Sequence, residues 1–314
     1  MDQTTSNILM VSPNNFSYNL QTAKNNHFQL KSDAYHPVET SKLAIKEFYD
    51  FVDKLEKNGV NIIIQQPSIN HVTPDAVFPN NWITFHQNGT VVIYPMYAPN
   101  RRLERDNDIL KQLSEKYSFE INRVMDMSKK ENQNLFLEGT GSMVLDRVNR
   151  ILYATISERT SIELINQFAS THNYDSITFN ATQKVKDKYL PIYHTNVMFS
   201  VGTNFAIVCL DSILDKKEKI IVEKSLLKTD KEIIDISVSQ MLSFCGNILE
   251  IKNNQNTSLI VMSSNAFEAF DTNQIKSLEK YGDIIHSPIN TIEKYGGGSA
   301  RCMIAEVFLP KKTN

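Results

Sequence analysis

A cysteine with the setting of a nucleophile stands near the C-terminal end of this 314-residue chain. Cys302 follows Gly296-Gly297-Gly298-Ser299-Ala300-Arg301, so three of only ten glycines are consecutive just before it. A reactive thiolate needs access to substrate and nearby positive charge or backbone amides that favour ionisation. A glycine-rich turn beside an arginine suits both needs. The other two cysteines read differently: Cys209 lies inside the apolar run Phe205–Leu210 as a core thiol, and Cys245 fits either core or surface. Two further glycines flank Thr140 directly after Glu138, and His194 precedes an apolar stretch, a position suited to a strand mouth. His71, His86 and His172 sit among polar residues and are expected to face solvent.

Other chemistries find little support. Gly139-Thr140-Gly141 begins a dinucleotide fingerprint, but its last glycine position is Val144, and Ser142–Leu145 reads as strand where the motif needs helix. No GxxxxGK[ST], CxxC or HExxH occurs, so neither a nucleotide nor a metal site is expected, and no cofactor is implied. Three cysteines are too few for a disulfide framework. Lys and Arg total 33 against 35 Asp and Glu, a net charge of −2, which offers no basic surplus for nucleic acid or anionic lipid. The longest apolar run is about six residues, far short of a bilayer span. Met1-Asp2-Gln3 opens no signal sequence, so a cytoplasmic protein is expected.

These groups need elements to position them. Strand-like runs recur at Asn61–Gln65, Val91–Tyr94, Ser142–Leu145, Ile151–Ala154, Phe205–Leu210 and Ser258–Met262. Leu43–Leu55, Ser161–Ala169 and Asn273–Leu278 carry apolar residues at helical spacing. The mixture predicts an α/β class. No Pro/Gly/Ser-rich linker interrupts it, so one domain over residues 1–314 is expected, with Met127–Asn134 and Ile251–Thr257 as surface loops.

Four blocks in order resemble the arginine deiminase/dimethylargininase/amidinotransferase superfamily of guanidino-modifying enzymes, with the citrulline-utilisation hydrolase branch the nearest match. They are Thr73–Asn81; Leu137–Ser142 with Ser157-Glu158-Arg159-Thr160; His194-Thr195-Asn196; and Gly296–Met303. Ala98-Pro99-Asn100-Arg101-Arg102 is similar to a dimethylargininase segment. The resemblance implies a five-bladed α/β propeller of pseudo-fivefold ββαβ modules around a central channel. It implies Cys302 as nucleophile, His194 as general acid/base, and Glu138 binding the substrate nitrogen. Arg159, helped by Arg101, would hold the substrate α-carboxylate. Asp75 would meet the α-amino group, Phe78 would pack beside the substrate, and Asn81 and Asn196 would face the reacting group.

Those two asparagines depart from the superfamily pattern. Deiminases carry an acid where Asn81 stands, dimethylargininases carry Glu where Asn80 stands, and the superfamily's His-x-Asp is His194-Thr195-Asn196 here. A buried carboxylate without a countercharge is costly, whereas an amide both donates and accepts. The substitutions therefore point to a neutral ureido amino acid, citrulline, hydrolysed to ornithine, ammonia and CO2 by a cysteine-dependent C–N hydrolase. Alternatives are an arginine dihydrolase, deiminase or dimethylargininase, then an amidinotransferase, and last a non-catalytic binding propeller. The expected partner is this small amino acid, with no nucleic acid or membrane; a homo-oligomer is left open.

Overall fold

The structure, a computed structural model, describes residues 2–31, 35–106 and 108–312. Among the described residues its strands form five three-stranded sheets of one topology and one antiparallel pair, Thr182–Val185 with Lys188–Pro191. In each of the five, a short first strand runs antiparallel to the middle strand, which is parallel to the third. Ile83–Phe85, Thr90–Ile93 and Arg123–Asp126 form one sheet. Val144–Asp146, Ile151–Thr155 and Asp175–Phe179 form the next. Phe199–Val201, Phe205–Val208 and Glu232–Asp235 follow, then Leu249–Lys252, Ser258–Ser263 and Asp283–Ser287. The remaining sheet joins both ends of the chain: Ala305–Glu306 pairs antiparallel with Asn7–Val11, which is parallel to Asn61–Gln65. Helical segments fill every middle-to-third connection, as parallel pairing requires. The fold is thus α/β, built of five ββαβ units.

Burial explains the sequence pattern. The middle strands, such as Thr90–Ile93 and Phe205–Val208, are buried along their whole length and so read as unbroken apolar runs. The Pro37–Lys57 helix buries Ala44, Phe48, Phe51, Val52 and Leu55, one stripe at helical spacing, with Pro37 in its first turn and Lys54 and Lys57 in its last. Met127–Asn134 contains a turn of 3₁₀ helix, Ser128–Gln133, with no buried residue, and the loop expected at Ile251–Thr257 begins only after strand residues Ile251 and Lys252. Among the described residues no helix is long and apolar enough to cross a membrane.

Two histidines overturn the solvent-facing expectation. His86 and His172 are buried, with rings stacked 4.5 Å apart, and His172 stacks in turn on Phe168. Their polar sequence neighbours concealed this, because the partners come from another sheet's helix. Burial holds the His86 pKa well below its ordinary value and brings His172 down from 6.5 to about 4. Both pKa values fall on folding, so the unfolded chain binds protons first as the pH drops. This part of the stability is complete above pH 6.5 and is lost progressively towards pH 4. The melting temperature should therefore fall steadily between pH 6.5 and 4, and His172→Phe should flatten the fall; an unchanged slope would remove these rings as its cause.

Candidate active site

The site is assembled from one repeated place in the fold, the turn that precedes each first strand. Pro79–Asn81 precedes Ile83–Phe85, Gly139–Ser142 precedes Val144–Asp146, and Thr195–Val197 precedes Phe199–Val201. The bend at 244–247 precedes Leu249–Lys252, and the turn holding Cys302 precedes Ala305–Glu306. Of the nine residues expected from sequence, Asp75, Phe78, Asn81, Arg101, Arg159, His194 and Cys302 line one small, closed cavity. Asn196 touches Cys302, and Glu138 stands behind His194.

Glu138 has no exposed surface. Its Oε2 lies 2.8 Å from His194 Nε2 and 3.5 Å from Arg159 Nη1, while Oε1 accepts the Tyr97 N–H at 2.9 Å. Burial works to raise its pKa, but Arg159, His194 and Arg101 outweigh it and hold the carboxyl below its usual range. Burial brings His194 down to about 4 against the opposing pull of Glu138. At neutral pH an anionic carboxylate therefore accepts a proton-bearing Nε2 from a neutral ring, leaving Nδ1 as the basic nitrogen. Glu138 orients the histidine, and both its oxygens are engaged within the protein rather than facing the cavity as expected.

Cys302 Sγ accepts from two side-chain amides, Asn247 Nδ2 at 3.2 Å and Asn196 Nδ2 at 3.4 Å. Burial pushes its thiol pKa up, against the backbone contact with Ser299, these amides and Arg301. The turn is held from several sides. Gly297 caps the preceding helix at φ +65°, a left-handed conformation natural to glycine, and its carbonyl accepts from Tyr193 and Asn26. Gly141 is required by close approach: a Cβ there would lie 2.4 Å from Asn81 Nδ2 and 2.8 Å from the His194 ring.

The two arginines differ. Arg101 is clamped by both Glu104 oxygens at 2.9 Å and donates to Asn81 Oδ1 at 2.7 Å. Burial opposes its charge, but Glu104 and Asp75 outweigh that and keep it protonated. Arg159 donates to the Asn25 side chain at 2.9 and 2.5 Å and to the Thr22 carbonyl at 3.0 Å, and it lies over the Tyr193 ring. Asp75 Oδ2 accepts from Asn19 at 2.8 Å and Thr22 at 3.1 Å, while Oδ1 is buried without a partner. Asn19, Thr22, Asn25 and Asn26 thus seal the cavity from the segment after the first middle strand. Sequence reading missed them, because short polar residues in an irregular segment carry no spacing signal. It missed Asn247 as well.

A family model described as N,N dimethylarginine dimethylhydrolase, eukaryotic, matches residues 12–309. The chain belongs to that family, and through it to the arginine deiminase/dimethylargininase/amidinotransferase superfamily. Among solved structures, apo ArgZ, an arginine dihydrolase from the ornithine-ammonia cycle in cyanobacteria, aligns with a TM-score of 0.71 at 17% identity. That alignment covers 98% of this chain and 41% of ArgZ, so this chain spans about two fifths of the length of that relative. The N-terminal domain of ArgZ bound to product aligns at 0.69 and 17% identity, over 97% of this chain and 99% of the domain. A dimethylarginine dimethylaminohydrolase adduct with S-methyl-L-thiocitrulline aligns at 0.64 and 15% identity, over 96% and 99%. At such identities the structural likenesses show a shared fold. A search of curated protein sequences finds no match.

This geometry makes Gly141 a sensitive position. Gly141→Ala should lower kcat by at least tenfold by displacing His194 and Asn81, while Cys302 keeps its reactivity to iodoacetamide. Wild-type turnover in Gly141→Ala would show that the His194 placement is not critical.

Proposed function

We propose that this chain is a cysteine-dependent C–N hydrolase acting on citrulline, releasing ornithine, ammonia and CO2. One observation carries the choice of a ureido group. Arginine is only a donor, so Arg101 fixes the Asn81 amide with its oxygen inward. Asn81 Nδ2 gives one N–H to Asn80 Oδ1 at 3.0 Å and keeps the second. Asn196 donates through Nδ2 to Cys302 and keeps a buried, unpartnered Oδ1. The reacting end therefore offers a donor and an acceptor, matching a C=O and an NH2. A guanidinium offers donors only.

At the other end, the free Asp75 Oδ1 suits the substrate ammonium, and Arg159 suits its carboxylate once Asn25 is displaced. His194 takes the Cys302 proton, and Sγ forms a bond to the ureido carbon, pushing the carbonyl electron pair onto oxygen. The intermediate collapses, one C–N bond breaks, and His194 returns the proton to the departing nitrogen. Water, deprotonated by His194, then attacks the carbon and breaks the C–S bond. The carbamate formed decays to CO2 and an amine, so the sum is citrulline plus water giving ornithine, ammonia and CO2. The reading takes residues 1–314 as one domain whose five ββαβ units close into a propeller around a channel. The pairing of Ala305–Glu306 with Asn7–Val11 supports that closure.

A second reading, an arginine dihydrolase, is favoured by the likeness to ArgZ; there a bound ureido intermediate would meet the same pair of amides. Asn81→Asp should shift the citrulline-to-arginine ratio of kcat/KM at least tenfold towards arginine. An unchanged ratio would defeat the donor–acceptor argument. Cys302→Ser should abolish turnover without lowering the melting temperature, and mass spectrometry of acid-quenched wild type should place the citrulline-derived adduct on Cys302. An adduct elsewhere, or retained turnover, would exclude this mechanism.

A further inference from the structure

The mechanism leaves one amide at the nucleophile unassigned. Asn247 is fully buried, and its Nδ2 lies nearer to Cys302 Sγ than Asn196 does, at 3.2 against 3.4 Å. The same Nδ2 donates to the Asn196 carbonyl at 2.8 Å, so its two hydrogens serve the thiol and the neighbouring turn together. Asn247 Oδ1 accepts the Cys302 backbone N–H at 3.4 Å, which fixes which end of the amide faces sulfur.

Its place in the fold is a second, independent observation. Asn247 stands, in the fourth sheet's unit, in the connection just before the first strand, the same part of the unit that supplies Asn81, Glu138, Asn196 and Cys302 in the other four. Other positive charge near sulfur is limited to Arg301 and to the proton that His194 takes from the thiol. His194 Nε2 is held by Glu138, and the Arg301 guanidinium is bound by the Ile304 carbonyl and Glu306. A buried thiolate depends on hydrogen-bond donors as well as on nearby cations, and donors to a charged acceptor are the stronger kind.

We infer that Asn247 is a catalytic residue, the donor that, together with Asn196, stabilises the Cys302 thiolate and aims it at the substrate carbon. A cationic guanidinium would bring its own countercharge to sulfur, whereas a neutral ureido group brings none. The need for this donor is thus greatest on the citrulline reading, on which this last step alone rests.

The test is the pH dependence of Cys302 alkylation by iodoacetamide, located by peptide mass mapping, in wild type, Asn247→Asp and Asn247→Ser. Alkylation needs no substrate, so the outcome stands whether or not citrulline is turned over. Asn247→Asp keeps the shape but loses the donor, and its inflection should rise by at least one pH unit, a tenfold loss of thiolate below it. Asn247→Ser, a shorter donor, should fall between, and it carries the test if the aspartate variant does not fold. In citrulline turnover kcat should fall about 100-fold with KM within threefold. An inflection that stays put in a variant with the wild-type melting temperature overturns the assignment, even where turnover is lost, because loss of turnover alone is what a structural role would produce.

Discussion

The site depends on a single buried negative charge. Glu138 has no contact with solvent, and an ion buried without partners is destabilising by several kcal/mol. Its stability in the core requires His194 at 2.8 Å, Arg159 at 3.5 Å and, further off, Arg101 at 3.9 Å. Those partners are the groups the proposed chemistry needs. The carboxylate selects the histidine tautomer and holds Arg159 facing the cavity. Arg101, balanced by Glu104 and Asp75, in turn fixes the Asn81 amide. On the proposed mechanism, one electrostatic cluster would couple substrate orientation to proton transfer.

The repeated topology explains how residues far apart in sequence meet. Each ββαβ unit begins with a two- to four-residue strand, and the turn before that strand delivers one or two side chains. Cys302 and its amide donors Asn196 and Asn247 come from three different units, separated by 106 and 55 positions. The covering segment from Asn19 to Asn26 is tied to the cluster through Asp75 and Arg159, so asparagine side chains close the site. The Asn19 contact with Asp75 and the Asn25 contact with Arg159 are ones that the proposed substrate's ammonium and carboxylate would replace.

Much of this was legible in the sequence, for identifiable reasons. Middle strands such as Phe205–Val208 are buried on both faces and announce themselves as apolar runs. The first strands are too short to show a period: Val144–Asp146 was visible only as part of Ser142–Leu145, and Ala305–Glu306 not at all. Cys302 and Glu138 stood out through scarce glycine, and Arg159 and Asn81 through the resemblance. Asn247 was hidden beside Cys245, although Asn81-Trp82-Ile83 and Asn247-Ile248-Leu249 share an asparagine two places before a first strand. The His86–His172 stack and the Asn19–Asn26 cover are long-range pairings that no local pattern encodes.

The most direct test of the account supplies citrulline and arginine separately to the purified protein and quantifies ornithine, citrulline and ammonia. Citrulline should yield ornithine and ammonia, and arginine little product. Ornithine from both would make the protein a dihydrolase. Citrulline accumulating from arginine, with no ornithine from citrulline, would contradict the ureido site built on Asn81 and Asn196.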